Sequence, residues 1–584
     1  MTFTPPSPFT TRPELHGTFG MAATTHWLAT ASAQAVLERG GTAFDAAIAA
    51  GFVLHVVEPH LNGAGGDLVG LYATAGDPTP RVLEGQGPAP AAATIEHYRA
   101  EGLGGVPGAG VLAPAVPGAV AAWLALHERH GTWELGDLLA FALGYARDGH
   151  PVLGRVAATI GRMREVFVEH WPTSARRWLV EGAPPAPDSI ARNPEYARVL
   201  EGLAADGLGY WHGEVADAIG AFAGEPTWHP VDGREHRGVL TADDLRAFLP
   251  EVAGTAMTYQ FRGTTVAKAG PWSQGPVQLL MLAMLDGLPD ERLDPSTALG
   301  VHTIAEVEAL AMADRDAWFG DGCDIRGLFD PGYLAERRAL IGERAARDYR
   351  PGSPQGRTPW MPPLSTEGEL AGRPPGTGEP TVDLRSKGAP RGDTCHLDVI
   401  DRWGNIVSVT PSGGWLQSSP TVPEIGFALG TRLQMAWLDP ASPTALRPGM
   451  RPRTTLSPTL LLRESRAVEA LGTPGGDQQD EWQLTYLLRR LVGGWPAQAA
   501  IDGPGAHSTA HVGSFEPRTW TPAGLAVEDR LGDDVIADLE ARGHVVTREG
   551  DWSLGRMSAV GAHPEGGYFA AANPRGSQGY AAGR

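Results

Sequence analysis

Cysteine is nearly absent from this chain. Only Cys323 and Cys395 occur among its 584 residues, so at most one disulfide can form. Neither cysteine stands at metal-site spacing from a neighbouring ligand residue. We therefore expect reduced thiols, and a scaffold that depends on several disulfides is excluded.

An excess of positive charge is also lacking. The chain carries 47 Lys and Arg against 67 Asp and Glu, which gives a formal net charge of −20. This charge repels phosphate backbones, and no Lys/Arg-rich run offsets it locally. We expect a small-molecule partner and no nucleic acid.

Long hydrophobic runs are missing too. The most apolar stretch, residues 46–57, is about a dozen residues long and contains His55, so it is too short to span a bilayer. The N-terminal segment combines neither a charged leading part nor an apolar run, and so does not resemble a secretory signal. We expect a cytoplasmic protein without a membrane partner, in which residues 46–57 form a core helix.

Motifs for metals and dinucleotides are not evident. The 18 histidines include no His-Glu-x-x-His and no paired ligands at helical spacing. The run Gly63-Ala64-Gly65-Gly66 lacks the spacing and the preceding strand of a dinucleotide fingerprint, which favours a tight turn. We expect neither a metal nor another cofactor.

The apolar pattern that is present predicts an α+β protein. With 42% hydrophobic residues, the chain can bury a large core in several domains or in one two-subunit fold. Thr30 is expected to cap a helix that ends at Gly40, and Thr42 with Asp45 to cap the next one. Apolar spacing predicts helices mainly before residue 351 and strands mainly after residue 394. The further helices are expected at residues 119–130, 134–148, 277–285, 303–318 and 333–346, and the strands at 397–401, 406–410, 459–463, 468–471 and 568–572.

The tetrad Asp393-Thr394-Cys395-His396 places a threonine where a strand begins. Residues 351–393 before it are too rich in Pro and Gly to fold, and are expected to form a linker. A threonine hydroxyl needs a base, and an N-terminal threonine brings its own α-amine, whose unperturbed pKa is about 7.7–8.0. We therefore predict cleavage of the Asp393–Thr394 bond, which leaves a large subunit of residues 1–393 and a small subunit of residues 394–584.

This tetrad has two other interpretations. Thr394 can be an ordinary strand threonine after a linker, because threonine is common in strands. Cys395 can be considered a nucleophile with His396 as its base, but adjacent strand residues point to opposite faces, so this histidine cannot serve that thiol.

Many short motifs of this chain occur in the same order as in one protein family, over nearly the whole length. On these motifs it resembles the gamma-glutamyltransferase family of N-terminal nucleophile hydrolases. The resemblance implies a four-layer α/β/β/α sandwich made by two subunits of one precursor, with further dimerisation left open. The motifs include Gly20-Met21-Ala22-Ala23, Val57-Glu58-Pro59-His60, Val116-Pro117-Gly118, Ala313-Asp314-Arg315, Arg453-Thr454-Thr455-Leu456-Ser457 and Thr473-Pro474-Gly475-Gly476.

The resemblance also implies roles for particular residues. Thr394 becomes the nucleophile, and the amides of Gly475 and Gly476 form the oxyanion hole. Ser412 stands where relatives have a threonine that supports the nucleophile's amine. Thr454 and Thr455 replace a Ser-Ser pair that hydrogen-bonds the substrate.

Two substrate-binding residues of the γ-glutamyl-specific members are missing. Their arginine would fall at residues 93–95, where no basic residue occurs, and Arg99 is the nearest. Their aspartate would fall at or next to Met435, which cannot bind an ammonium group, and Gly414 replaces an asparagine. Arg432 offers a planar fork suited to a carboxylate, and we predict that it either orients a small acid or is a solvated or structurally paired arginine.

These departures leave the substrate open. The segment from Thr410 to Ser419, which supplies Thr410 as a further candidate substrate contact, resembles the oxamate amidohydrolase branch of the family. We expect hydrolysis or transfer of an acyl group from a small amide, either a γ-glutamyl compound such as glutathione or a related carboxylate-bearing amide. An oxamate-type amidohydrolase without γ-glutamyl specificity and an inactive ligand-binding relative are the alternatives.

Overall fold

The strands of this protein are short and spread along the whole chain. The computed structural model describes residues 3–366 and 394–584. Within them the strands are β1 (Leu15–Gly17), β2 (Met21–Thr24), β3 (Asp67–Ala73), β4 (Arg81–Gly85), β5 (His150–Pro151), β6 (Ile190–Ala191), β7 (Thr227–Trp228), β8 (Glu235–His236), β9 (Glu251–Thr255), β10 (Met257–Phe261), β11 (Thr264–Lys268), β12 (Leu397–Ile400), β13 (Ile406–Ser412), β14 (Thr459–Arg463), β15 (Arg466–Gly472), β16 (Ala506–Ser508), β17 (Gly524–Val527), β18 (Val545–Arg548), β19 (Ser558–Ala562), β20 (Tyr568–Ala572) and β21 (Tyr580–Gly583).

Helices and loops alternate in the sequence between these strands. They are α1 (Trp27–Glu38), α2 (Ala43–Val57), α3 (Ile95–Ala100), α4 (Ala119–His130), α5 (Leu135–Arg147), α6 (Gly154–Glu169), α7 (Pro172–Trp178), α8 (Pro194–Asp206), α9 (Leu208–Tyr210), α10 (Ala216–Ala223), α11 (Ala242–Ala247), α12 (Pro276–Leu285), α13 (Ala298–Trp318), α14 (Pro331–Arg338), α15 (Gln479–Leu491), α16 (Ala497–Asp502) and α17 (Asp533–Ala541).

Two antiparallel sheets of seven strands carry the fold. Sheet I has the order β21-β2-β12-β13-β3-β4-β9, and sheet II has the order β1-β20-β19-β15-β14-β11-β10. Each sheet mixes strands from both sides of residue 394, with β12 and β13 at the centre of sheet I between β2 and β3. Backbone hydrogen bonds therefore join the two parts of the chain throughout both sheets.

Three apolar cores stack across the molecule. One lies between the sheets and includes Leu71 and Ile400 from sheet I with Leu460 and Val560 from sheet II. The second packs the outer face of sheet I against α1, α2, α4 and α5. The third packs the outer face of sheet II against α12, α13 and α15. Because both faces of sheet I are covered, β3 is buried along its whole length.

Several predicted elements are confirmed. Residues 46–57 lie in α2, which is buried at every position. Its capping box is formed as predicted, since Asp45 N donates to Thr42 Oγ1 at 3.3 Å and Thr42 N donates to Asp45 Oδ2 at 2.9 Å. The strands predicted at 459–463 and 568–572 are β14 and β20.

Other predicted boundaries are wrong. Thr30 does not cap α1, because the helix begins at Trp27 and His26 Nδ1 accepts from Leu28 N at 3.1 Å. The helix predicted at 333–346 is α14, which ends at Arg338. The chain beyond it is held by other elements, with Ala346 N donating to Glu306 Oε1 at 2.9 Å. The prediction also missed the strands before residue 351, which supply four strands of sheet I and three of sheet II.

The membrane prediction can be compared with the helices directly. No helix within residues 3–366 and 394–584 combines the length and the apolar character needed to cross a bilayer.

Candidate active site

The predicted nucleophile lies at the start of β12, against the end of β13. Thr394 and Ser412 form an antiparallel bridge, and Cys395 N donates to Pro411 O at 3.0 Å. The Thr394 Oγ1 and Ser412 Oγ atoms share a hydrogen bond of 3.1 Å, and both side chains are buried. The structure therefore brings together two residues that the sequence assigned to one site.

The same face of β12 and β13 continues as a ladder of hydrogen bonds. Opposite Thr410, the His396 Nδ1 atom lies 2.9 Å from the threonine Oγ1, and His396 Nε2 lies 2.9 Å from Asp398 Oδ1. Asp398 also accepts from Ser408 Oγ at 2.7 Å. We call Thr394, His396, Asp398, Ser408, Thr410 and Ser412 the hydroxyl ladder. Thr410 is thus engaged with a histidine inside the ladder, and its substrate contact stays a prediction.

Cys395 points away from this ladder into the helical side of sheet I. Its Sγ donates to Glu58 Oε2 at 3.1 Å and accepts from Asn62 Nδ2 at 3.1 Å. Burial, followed by the charge of Glu58, raises the pKa of the Cys395 thiol well above its ordinary value. This thiol is therefore neither ionised nor within reach of His396, which argues against the cysteine nucleophile.

The end of β15, in sheet II, faces the hydroxyl ladder. Gly472 lies so close to the His396 ring that an added Cβ would be 2.2 Å from its Cε1 atom, so only glycine fits there. Next to it, Ser558 Oγ of β19 donates to Asp398 Oδ2 at 2.9 Å. The loop that follows β15 therefore starts at the ladder and runs toward the Thr394 end of it.

That loop contains the two predicted oxyanion glycines. Gly475 has a φ of +135°, and an added Cβ would be 2.7 Å from the Trp482 ring. Gln479 closes the turn, because its side-chain amide donates to the carbonyl of Gly475 and its backbone amide to that of Gly476. Within residues 3–366 and 394–584, the amides of Gly475 and Gly476 donate to no protein acceptor, so they remain available to an oxyanion. We call residues 473–480 the glycine loop.

Buried charges from the first part of the chain hold the glycine loop. Arg315 of α13 forms an ion pair with Asp477, and Ser514 N donates to the same carboxylate at 2.8 Å. Although burial alone would raise the pKa of Asp477, the charge of Arg315 holds it at about 2. Gln274 Nε2 donates to the Asp477 carbonyl at 2.7 Å and fixes the loop's backbone.

A second buried ion pair holds the other end of the loop. Lys268 Nζ of β11 donates to Asp480 Oδ1 at 3.0 Å and to Ser457 Oγ at 2.9 Å. Ser457 follows Thr454 and Thr455, the predicted substrate hydroxyls, and its backbone N–H donates to Gln479 Oε1 at 3.2 Å. The two threonines are therefore placed beside the glycine loop, and both are buried.

Arg432 has a charged partner of its own. Its Nε and Nη2 atoms donate to Asp67 Oδ2 and Oδ1 at 2.6 and 2.9 Å, in a bidentate pair that is almost fully buried. Asp67 stands opposite Ser412 in the pairing of β13 with β3, so this pair lies beside the ladder and lines a narrow cleft. A substrate carboxylate would have to compete with Asp67 for the guanidinium, and the predicted role of Arg432 stays a prediction.

The two positions at which the γ-glutamyl-specific members are expected to have an arginine and an aspartate lie in apolar surroundings here. Ala93 is fully buried in a cluster with Leu433 and Ala436, and Met435 is buried beside them. No charge faces this cluster from those positions, so the usual pair of an arginine and an aspartate has no counterpart there.

Two predicted features fall outside the described residues. These are Asp393, on the other side of the predicted cleavage bond, and most of the predicted linker, residues 367–393.

Sequence reasoning missed the residues that support the site. Arg315, Asp477, Asp67, Glu58 and Asp398 are all buried partners in it. Most of these residues lie in or beside the family motifs. The motifs could therefore have pointed to these buried polar residues, although not to their partners. Among residues 3–366 and 394–584, no three His, Cys, Asp or Glu side chains come together as a metal site.

Comparison with known proteins gives one consistent result. A sequence model of the gamma-glutamyltranspeptidase family matches residues 29–583. The oxamate amidohydrolase proenzyme of Klebsiella pneumoniae is 32% identical over 97% of this chain and 98% of its own length. A glutathione hydrolase-like proenzyme of Bacillus subtilis is 28% identical over 96% of this chain and 98% of its own length.

Solved structures give the same picture. The structure of LmbA2991 is 48% identical, with a TM-score of 0.91 over 99% of this chain and 100% of the other. The cephalosporin acylase of Bacillus halodurans is 27% identical, with a TM-score of 0.82 over 100% of this chain and 99% of the other.

Proposed function

The chain belongs to the gamma-glutamyltranspeptidase family, and from this premise we propose that it cleaves itself before Thr394 and then uses that threonine as an amide-attacking nucleophile. It is a self-processing amidohydrolase or acyltransferase. The observation that supports the assignment to Thr394 is its position: its hydroxyl bonds Ser412 Oγ, at the end of β13, at 3.1 Å.

The first phase of the reaction creates the chain end. Thr394 Oγ1 attacks the carbonyl carbon of Asp393, the Thr394 nitrogen leaves with a proton, and an ester joins the two residues. This acyl shift frees the α-amine of Thr394, and water then hydrolyses the ester to regenerate the Thr394 hydroxyl and leave a C-terminal carboxylate on Asp393. Ser412, opposite the new terminus, is placed to accept or donate a hydrogen bond in both states.

The second phase uses the same hydroxyl on the substrate. The α-amine takes the proton of Thr394 Oγ1, the oxygen attacks the amide carbon, and the Gly475 and Gly476 amides stabilise the resulting oxyanion. The leaving amine takes the proton and an acyl-enzyme remains. Water gives hydrolysis, and an amine gives acyl transfer.

The substrate is a small amide. A γ-glutamyl compound such as glutathione is one candidate, since relatives include glutathione hydrolases. A different carboxylate-bearing amide, of the oxamate type, is the second candidate. It is favoured by the apolar cluster at Ala93 and Met435, which leaves an α-amino acid group without its usual partners.

The architecture follows the family expectation. We propose a four-layer α/β/β/α sandwich, supported by the three stacked apolar cores, which cleavage divides into a large subunit of residues 1–393 and a small subunit of residues 394–584. Because β12 pairs with β2 and β14 with β11, the subunits are held together by strand pairing after cleavage. Further dimerisation and a cytoplasmic location stay predictions.

Cleavage and acylation can be tested on one preparation. Dividing 61.6 kDa in proportion to length (393 and 191 of 584 residues) gives fragments of about 41 and 20 kDa on a denaturing gel. Thr394→Ala should remain a single band without turnover, and Thr394→Ser should mature. Intact-mass analysis after incubation with a slow amide should locate the acyl group on the small subunit. An inactive relative would show neither fragments nor adduct, and cleavage of the alanine variant at the same bond would indicate an external protease.

A further inference from the structure

Each of the two predicted oxyanion amides shares a peptide group with a carbonyl oxygen that a side chain holds. A peptide group is planar and trans, so its N–H and its C=O point in opposite directions. The Gly475 N–H therefore points away from Pro474 O, and the Gly476 N–H points away from Gly475 O. A side chain that fixes one of these oxygens also fixes the direction of the N–H in the same peptide.

Gln479, the first residue of α15, holds the oxygen of the peptide between Gly475 and Gly476. Its side-chain amide donates to Gly475 O, and its Oε1 atom accepts from Ser457 N at 3.2 Å. A carbonyl only accepts and a backbone N–H only donates, so these two partners determine which end of the side-chain amide faces each of them. Gln479 is fully buried. The Gly476 amide is thereby tied to the segment that carries the predicted substrate hydroxyls.

Thr473 holds the oxygen of the preceding peptide. Its Oγ1 atom accepts from Arg556 N at 3.0 Å and donates to Pro474 O at 2.8 Å. Because the Arg556 N–H supplies the proton of the first bond, the single proton of the threonine hydroxyl is the one directed at Pro474 O. Thr473 is also fully buried. The Gly475 amide is thereby tied to the backbone just before β19.

The glycine loop needs these two bonds because its own backbone does not set the direction of the amides. Gly475 has a φ of +135°, and a glycine has no Cβ to restrict the rotation of the peptides on either side of it. The ion pairs at Asp477 and Asp480 act further along the loop and hold it in place. Thr473 and Gln479 act instead on the two peptides that carry the amides.

We propose that Thr473 and Gln479 are positioning residues that orient the Gly475 and Gly476 amides toward the oxyanion. This inference rests on the proposed function, and it separates the direction of the amides from the position of the loop. Oxyanion donors stabilise the transition state more than they stabilise the bound substrate. Loss of either side chain should therefore lower kcat and leave KM nearly unchanged.

The test removes each donor while keeping the size of the side chain nearly constant. The variants are Gln479→Met and Thr473→Val, and the substrate is oxamate or γ-glutamyl-4-nitroanilide, whichever the matured wild type hydrolyses faster. In each variant kcat should fall about 10- to 100-fold, with KM within about 3-fold of the wild-type value. Thr473→Ser keeps the hydroxyl, and its kcat should stay within about 3-fold of the wild-type value.

Two buried side chains on other elements give matched controls. Gln498 of α16 bonds the backbone of Ala572, to which its Nε2 donates at 3.0 Å and from which its Oε1 accepts at 3.1 Å. Thr303 Oγ1 of α13 donates to Leu299 O at 2.8 Å. Gln498→Met and Thr303→Val therefore remove hydrogen bonds of the same kinds, and kcat should stay within about 3-fold of the wild-type value. Equal losses of kcat in these controls would show general destabilisation and would overturn the inference.

A double-mutant cycle shows whether the two side chains act through the amides. Gly475→Ala already turns these amides, so adding Gln479→Met or Thr473→Val to it should lower kcat by less than about 3-fold more. Losses that multiply in full would overturn the inference, as would an unchanged kcat in both single variants.

A second substitution at Gln479 keeps the test decisive if Gln479→Met does not mature. Gln479→Asn retains an amide that is one methylene too short to reach both partners, and it should show the same loss of kcat. Failure of both variants to mature would indicate a role in folding or cleavage and would overturn the inference. Absence of turnover and of any acyl adduct in the wild type would instead overturn the proposed function.

Discussion

The hydroxyl ladder and the glycine loop meet at Thr394 but are built from different interactions. The ladder consists of neighbouring strands of sheet I, and its contacts to Thr394 and Thr410 come from a serine and a histidine. The glycine loop is irregular, and buried ion pairs from Arg315 and Lys268 fix it at Asp477 and Asp480.

This difference corresponds to what each side must do. In the proposed reaction, the Thr394 nitrogen changes from a peptide amide to an amine that gains and loses a proton, and hydroxyls can donate or accept in each of these states. In the same proposal, the amides of Gly475 and Gly476 must keep one direction throughout, and a loop without regular hydrogen bonding needs strong anchors to do so. We infer that the ladder tolerates change and that the loop does not.

The largest expected effect comes from removing the loop's charge anchor. Asp477→Asn removes one of the two buried carboxylates, Asp316 and Asp477, that balance the charges of Arg315 and Arg453, and the unbalanced charge costs about 3–5 kcal/mol in the free energy of unfolding. The melting temperature of the matured protein should fall sharply, and activity should fall with it. Asp534→Asn, at an exposed aspartate on α17, is the control and should have no effect. A stable, active Asp477→Asn enzyme would show that the ion pair does not hold the loop.

A smaller loss is expected from turning the loop's amides. Gly475→Ala forces a residue with a Cβ into a φ of +135° and against the Trp482 ring. We expect kcat to fall about 100- to 1,000-fold, since a misplaced oxyanion donor costs roughly 3–4 kcal/mol. Gly494→Ala tests backbone strain alone, because it shares a positive φ but has open space around it. Equal losses in both variants would mean that strain, and not amide direction, is responsible.

The ladder was the more predictable of the two. Its strands follow a period-two pattern closed by the turn at Gly404-Asn405, and the strand ends at Ser412 bring the assigned hydroxyl to Thr394. Local alternation and turn chemistry predicted the hairpin, whereas the assignment of Ser412 to the site came from the family resemblance. By contrast, β3 escaped prediction because it is buried on both faces and so has no alternation to detect.

The anchors of the site could not be predicted, because no local pattern encodes them. Arg315 and Asp477 are 162 residues apart, and Arg432 and Asp67 are 365 apart. The prediction that Arg432 binds a carboxylate was chemically apt, since it does bind one, but the carboxylate in the structure belongs to the protein. A single sequence does not show which charged residues, far apart along the chain, form an ion pair.

On the ladder, a single hydroxyl should matter less than a loop residue. Ser412→Ala removes the 3.1 Å hydrogen bond to Thr394 Oγ1, which is worth about 1 kcal/mol, or about 5- to 10-fold in kcat. Ser412→Thr should restore activity, and maturation should be slowed rather than abolished. Ser418→Ala is the control, because that buried hydroxyl donates to Trp415 O away from the ladder. A loss in kcat as large as that of Gly475→Ala would show that the ladder tolerates change no better than the glycine loop does.

A last prediction concerns pH and again separates the two sides. Next to the glycine loop, Ser508 N donates to both Glu308 and Glu481, and burial raises the pKa of Glu308 to about 8. An unfolded glutamate has a pKa of about 4.3, so the folded protein holds the extra proton between these values and loses stability as the pH rises through them. For one proton, the free energy of unfolding changes by at most about 1.4 kcal/mol per pH unit.

Glu308→Gln cannot titrate, so its melting temperature should rise relative to the wild type between pH 5 and pH 8. Parallel curves would show that this pair does not hold the proton, whereas Ser412→Ala should track the wild type because a hydroxyl has no charge to lose in this range.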